Sequence, residues 1–324
     1  MFLLSPAYKD YLWGGTKLYR LYGKGSAGGH TAESWELSTH PQGCATLASG
    51  PYRGTTLAEY LSSHPLTAQD DRESGAGLPV LTKLIDAKEP LSIQVHPNDA
   101  YALQTAGEGG KTELWHILSA DPGAFLYLGV RRETTPGELA AAIREQRVEE
   151  LLNKIPVHAG ESYYIPAGTL HAIGGGILLY EVQQSSNLTY RVYDYGRVDA
   201  AGRPRQLHIA DALAVARAKP TDCTPPGSTP AVPWGDGCRR TIAACPYFTL
   251  EEAVLAGNGR IAAGTGDFCH VFLAEGAASA RQPGAELALP RGGGLFLPGG
   301  EEAQLRGNAR LLLTRAGRCR AKAV

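Results

Sequence analysis

Forty glycines and twenty-one prolines cut this chain into short runs, many of which alternate polar and apolar residues. Such punctuation suits short β-strands joined by turns and leaves little room for helices. A chain of 324 residues, 43% of them hydrophobic, can build two domains, or one large β domain with an appendage. The expectation is a mainly β protein.

Residues 1 to about 135 read mostly as strands. One exception is TTLAEYLSSHP, where Leu57, Tyr60 and Leu61 hold a helical spacing. A clearer helical insertion covers residues 136–155, PGELAAAIREQRVEELLNKI. Pro136 suits a first turn, and Leu139, Ile143, Val148, Leu151 and Leu152 supply apolar faces. A break near Gln146 would make this insertion a helical hairpin. LHIADALAVARA, residues 207–218, reads as another short helix. The following residues 219–237 are rich in Pro, Gly, Ser and Thr and read as a linker. Beyond it, residues 238–324 alternate as a small β domain. The expected organisation is therefore a larger unit over 1–218, a linker over 219–237 and a C-terminal β domain over 238–324.

A formal net charge of -1 and the lack of a basic stripe argue against nucleic acid or a membrane surface as partner. No uninterrupted apolar run approaches membrane-spanning length. MFLLSPAYKDYLW opens on an apolar run too short for a signal peptide. The six cysteines are scattered, form no CxxC pair and read as reduced thiols. The chain is expected in the cytoplasm, as a monomer or weak homodimer.

Three stretches could carry chemistry. In LSIQVHPNDAY, a strand would put Ser92, Gln94 and His96 on one face and Ile93 and Val95 on the other, with Pro97 ending it. In GKTELWHIL, Lys111, Glu113 and Trp115 share a face, while His116 lies opposite. In GESYYIPAGTLHAIGGG, a Pro-Ala-Gly turn precedes His171. Read singly, these are a wet polar pair, a surface ion pair and a structural histidine. Read together, Gln94, His96, Glu113 and His171 offer two imidazoles, a carboxylate and an amide oxygen. That set suits zinc, and also iron, manganese or cobalt. Elsewhere, Thr189, Arg191, Tyr193 and Tyr195 share a face, as do Leu179, Glu181 and Gln183; Lys83 lies inside the apolar run LPVLTKLIDA.

GESYYIPAGTLHAIG resembles the second cupin motif, with Gly175 in place of the usual closing Asn. The first motif has Gln94-x-His96 in place of His-x-His. With LSIQVHPND, KTE and GTLHA in this order, the chain resembles type I mannose-6-phosphate isomerases. YLWGGTKL, AESWELSTHP and QQSSNLTYRVYDYGR resemble the short bacterial form of that family. The likeness runs in separate blocks from about residue 8 to 215. It implies a cupin jelly-roll barrel with a few helices, followed by a smaller β domain, cupin-like in turn. It also implies one Zn²⁺ per chain on Gln94, His96, Glu113 and His171. Arg191 would be catalytic, with Glu181 and Lys111 as candidates for proton transfer. Lys83, Glu33 and Arg197 would bind the sugar phosphate, with Lys83 and Arg197 as the candidates for its phosphate. Asn187 stands where an acidic residue is expected in many relatives, which removes a carboxylate from that point. The implied activity interconverts mannose 6-phosphate and fructose 6-phosphate. Other readings are a non-catalytic cupin that binds a sugar phosphate, a cupin isomerase for another phosphosugar, and an iron dioxygenase.

Overall fold

The computed structural model describes residues 1–66, 77–198 and 201–317. Within them the chain forms three antiparallel sheets and a few short helices. Cys319 and the last residues of the expected C-terminal domain lie outside the described residues.

Two sheets face each other as a jelly-roll barrel. The first has six strands, with Glu113–Ala120, Ile177–Gln184, Val80–Ala87 and Glu33–Leu37 side by side at its middle. The second has five, in the order Tyr190–Tyr193, Ile93–Val95, His171–Ile173, Phe125–Val130 and Leu152–Pro156. Trp13, Ile85, Trp115 and Leu179 meet Leu126, Leu128 and Ile173 in the core between them. Ile93 and Val95 point out of this barrel. They pack with Leu139 and Ile143 of the helix Pro136–Arg144 and Ala212 of the helix Ile209–Val215. The period of two is therefore kept, and the helices are what bury the outer face.

The expected helices at Leu57–Ser63 and Pro136–Arg144 each begin with a complete capping box, from Thr56 and Thr135. The helical hairpin does not form. Gln146 takes a left-handed φ of 57°, Val148–Leu151 makes only a 3₁₀ turn, and Leu152–Pro156 is an edge strand beside Phe125–Val130. Pairing at an open sheet edge overrides the helical spacing of Leu151 and Leu152.

The third sheet carries the strands Phe248–Ala262, Phe268–Gln282 and Glu302–Ala316, each of 15 residues. It crosses the expected domain boundaries. Phe2–Ser5 pairs with Gly294–Pro298, Thr46–Leu47 pairs with Phe2–Ser5, and Val232–Trp234, from the expected linker, pairs with Gly237–Ala244. One face of this sheet encloses a core of its own, including Leu255, Val271 and Leu311. The other packs Phe248, Phe268, Phe272 and Leu312 against Leu84, Leu178, Tyr180 and Val182 of the barrel. The run ILLYEVQQ is thus buried on both faces, which explains why its first half, ILLY, is apolar without a break.

Candidate metal centre and active site

The strand period places the site in two facing rows. In the five-stranded sheet Gln94 sits between His171 and Arg191 as direct cross-strand neighbours. In the six-stranded sheet Glu181 sits between Trp115 and Lys83, and Lys83 pairs in register with Trp35. Directly opposed residues in neighbouring strands bring their side chains into contact, so each row forms a continuous surface. Glu113, cross-strand from Gln183, extends the second row toward His96.

His96, Glu113 and His171 bring one ligand atom each to within 4.8 Å of one another, and all three are buried. His96 Nδ1 lies 2.8 Å from the Leu188 carbonyl, and His171 Nδ1 lies 2.8 Å from that of Thr169. A carbonyl only accepts, so each Nδ1 carries the proton and each Nε2 keeps its lone pair. Both lone pairs face Glu113: His171 Nε2 is 3.2 Å from Oε1 and His96 Nε2 is 3.5 Å from Oε2. Burial pushes His171 down to about 4, and burial reinforced by Lys111 pushes His96 well below its ordinary value. Both rings are neutral near pH 7, the state in which imidazole ligates a metal.

Glu113 is fully buried, and among the described residues its Oε1 has no hydrogen-bond donor. Burial pushes its carboxyl up, to about 8, against the pull of Lys111. Lys111 Nζ stands 2.6 Å from Glu113 Oε2 and 3.0 Å from His96 Nε2, so the expected surface pair is a buried one. Two inward lone pairs and an orphaned carboxylate oxygen form a donor set that fits a divalent cation. Gln94 presents its amide NH₂ to His171 Nε2 at 3.4 Å. A half-turn of that amide exchanges nitrogen for oxygen and would turn an oxygen donor toward the same point.

Beside this centre lies a 270 Å³ cavity. Gln94, Lys111, Glu181, Arg191, Lys83 and Glu33 all line it; Arg197 does not. Lys83 is 3% exposed and sits 3.6 Å from Glu33 and 3.5 Å from Glu181, so it does not snorkel to solvent. Burial opposes its charge, but Glu33 and Glu181 hold it above the ordinary lysine value. Trp35 Nε1 donates to Glu33 at 2.6 Å, and Trp115 Nε1 donates to Glu181 Oε1 at 2.9 Å. Although burial works against it, Lys111 and Lys83 keep Glu181 below the ordinary carboxylate range. Its Oε2 has no hydrogen-bond partner among the described residues. Arg191 donates from Nε to Ser92 Oγ at 3.1 Å and from an Nη to the Gln206 carbonyl at 3.0 Å.

Sequence patterns missed four cavity residues that matter: Tyr11, Trp13, Arg205 and His208. Trp13 lies in the quoted YLWGGTKL block, but nothing there marks it as lining. Arg205 lies in an irregular loop with no alternation to orient it.

Residues 1–116 match the model of the phosphomannose isomerase type I catalytic domain. A mannose-6-phosphate isomerase of Streptococcus mutans is 36% identical over 321 residues, covering 98% of this chain and 99% of its own. The chain belongs to the type I mannose-6-phosphate isomerase family. Another member, ManA of Bacillus subtilis, is 36% identical over 268 residues, covering 79% of this chain and 80% of its own. The crystal structure of the B. subtilis mannose 6-phosphate isomerase overlays with a TM-score of 0.88 at 34% identity, covering 97% and 98% of the two chains. A mannose 6-phosphate isomerase solved with bound zinc and yttrium shares the fold, with a TM-score of 0.74 at 20% identity over 98% and 99%. In this isomerase family member the barrel carries the site described above, and the jelly-roll is its cupin fold.

Proposed function

We propose that this chain interconverts mannose 6-phosphate and fructose 6-phosphate, using a zinc ion held by His96, Glu113, His171 and the reoriented Gln94. Zinc, when bound, would supply Lewis-acid stabilisation of negative charge developing on the sugar oxygens. The observation that carries this reading is the arrangement of a buried two-imidazole, one-carboxylate set beside a cavity lined by Glu181, Lys111 and Arg191.

The reaction moves a proton between C1 and C2 through an enediol. The group that takes the proton from carbon must be ionised and within reach. Glu181 fits best: its Oε1 is fixed by Trp115, its Oε2 meets Lys83 at 3.5 Å but makes no hydrogen bond among the described residues, and its carboxyl is held ionised. Lys111, bonded to Glu113, is placed to pass protons among the hydroxyls at the metal end. Arg191 is permanently cationic and so a poor base. It would orient the sugar and offset oxyanion charge. Glu33, held by Trp35, offers an acceptor for a sugar hydroxyl. Asn187 lines the cavity and donates to Gln42 at 2.5 Å, so it contributes an amide where a carboxylate is expected.

The deciding experiment is turnover of mannose 6-phosphate by purified protein, before chelation, after it, and with zinc restored. Activity should vanish and return with one zinc per chain. Folded, zinc-loaded protein that binds mannose 6-phosphate without turnover would mean a binding cupin. Turnover of a different phosphosugar alone would reassign the substrate.

A further inference from the structure

The sheet that carries Glu33, Lys83 and Glu181 has a second face, and polar side chains gather there too. Ser34 and Glu36 flank Trp35, Thr82 precedes Lys83, and Tyr180 precedes Glu181. All four are at most 1% exposed. Polar groups buried so deeply are costly unless each finds a partner. Ser34 Oγ donates to Glu36 Oε1 at 2.6 Å, and Lys24 Nζ donates to Glu36 Oε2 at 2.9 Å. Tyr180 Oη reaches Thr314 Oγ1 at 3.0 Å and His270 Nδ1 at 3.2 Å, with Thr82 hydrogen-bonded to it as well. His270 and Thr314 are cross-strand neighbours in the third sheet. The cluster therefore lies where that sheet meets the back of the catalytic strands.

One atom of it is left over. His270 is fully buried, and its Nε2 has no protein partner among the described residues. Burial, with Lys24 adding to it, pushes the imidazole down to about 3, so the ring is neutral at pH 7. In either tautomer Nε2 is then a donor without an acceptor or an acceptor without a donor. Gly294 stands beside it. Gly294 pairs in register with Leu4 and Phe272, and its φ lies outside the left-handed region, so the backbone does not demand glycine. A Cβ there would stand 3.0 Å from His270 Nε2 and 3.9 Å from Glu36 Oε2. What glycine spares is the space between those two polar atoms.

We infer that a single buried water binds between His270 Nε2 and Glu36 Oε2, and that this hydrated cluster positions Glu181 and Lys83 from behind. The imidazole nitrogen and the carboxylate oxygen supply the two partners a buried water needs, and water suits either tautomer because it both donates and accepts. Through Tyr180 the cluster grips the strand of Glu181, and through Thr82 that of Lys83. Through Glu36, the extra residue at the register shift between Trp35 and Leu37, it grips the strand of Glu33. His270 touches neither substrate nor metal ligand and is a positioning residue. Its effect on catalysis rests on the isomerase reading above; the water site does not.

A high-resolution crystal structure should show an ordered water within hydrogen-bond distance of both atoms, and a dry gap would overturn the site. G294A should expel that water, and H270F should remove one of its partners. In both variants kcat for mannose 6-phosphate should fall roughly tenfold to a hundredfold, with KM within about twofold and zinc content unchanged, because small displacements of a reacting group cost that much. With substrate deuterated at C2, the isotope effect on kcat should be a full primary one in both, since proton abstraction is the step that slows. H270Q, whose amide donates and accepts, should restore part of kcat. A fall in kcat with a small isotope effect, or a wild-type kcat in G294A, would overturn the positioning role and leave the cluster purely structural. Should H270F melt early, G294A keeps every polar group and carries the test. If wild type turns over no mannose 6-phosphate, the isomerase reading falls. The water is then decided by its density, and the positioning role by whether Glu181 moves in the G294A crystal structure.

Discussion

Glu181 shows how a single side chain can be charged, dry and available at once. Its carboxylate is 2% exposed, yet Trp115 Nε1 and the two lysines nearby replace the water it has lost. A Glu181→Gln substitution keeps the shape and the indole hydrogen bond while removing the proton acceptor. It should lower kcat by about 10²–10⁴, leave zinc content near wild type, lower the melting temperature because buried Lys83 loses one of its two carboxylates, and abolish exchange of the C2 proton with solvent. If Lys111→Met with zinc retained abolishes that exchange while Glu181→Gln does not, Lys111 is the base. At this scale the sequence was partly legible. Alternation in LSIQVHP was enough to put Gln94 and His96 on one face, because a period of two has only two outcomes. The Lys111–Glu113 pair looked like a solvent-exposed one, because spacing fixes which residues share a face and says nothing of what covers it. Its burial is set by strands distant in sequence, Ile177–Gln184 and Ser162–Ile165. Arg205 was invisible for a different reason: an irregular loop imposes no period, so only folding brings it to Asp194.

Between elements, the same blindness to neighbours explains what was missed. The strand Ile177–Gln184 was readable as apolar and extended, but its two buried faces became distinct only once two sheets lay against it. Leu151 and Leu152 kept a helical spacing, and the open edge beside Phe125–Val130 claimed Leu152 for a strand. Glycines are the reverse case, where a local requirement is strict. In the third sheet Gly257 and Gly307 face each other in register with φ of 141° and 152°, midway along 15-residue strands. A Cβ at Gly307 would stand 2.3 Å from the Ala277 carbonyl oxygen. Backbone relief there needs the sheet to shift, so no side-chain rotation can absorb it. Gly307→Ala should destabilise the protein by about 1–3 kcal/mol from the backbone conformation alone, read as a lower urea midpoint at unchanged slope. Gly264→Ala is the control. It has open space around its Cβ position and should stay within about 0.5 kcal/mol of wild type.

Across the whole molecule, the C-terminal sheet is continuous with the barrel's support rather than an ornament beside it. Successive residues of Ile177–Gln184 face alternate cores, so Tyr180 meets the third sheet while Glu181 meets the cavity. Tyr180 Oη lies 3.2 Å from His270 Nδ1 and 3.0 Å from Thr314 Oγ1, a polar contact at the centre of an otherwise apolar junction. Glu36, bonded to Lys24 at 2.9 Å, sits on the outward side of the strand whose neighbouring residues Glu33 and Trp35 serve the site. The Pro-rich segment 219–237 reads from sequence as the seam between independent units, because composition marks where the backbone is irregular and cannot report which surfaces stay in contact. Phe2–Ser5 completes the third sheet from the far end of the chain, so the sheet needs both termini of the fold. A fragment of residues 1–237 would therefore lose one of the two partners of its first strand and turn Leu84, Leu178, Tyr180 and Val182 to water. Exposing each such side chain forfeits about 1.5–3 kcal/mol, and a domain has only about 5–15 kcal/mol to lose. The intact chain should then unfold by heat in one transition seen alike by near-ultraviolet and far-ultraviolet circular dichroism. The fragment should show no cooperative transition and no isomerase activity with zinc supplied. A fragment that melts cooperatively and turns over mannose 6-phosphate would show instead that the barrel folds by itself, and that the shared core only adds to its stability.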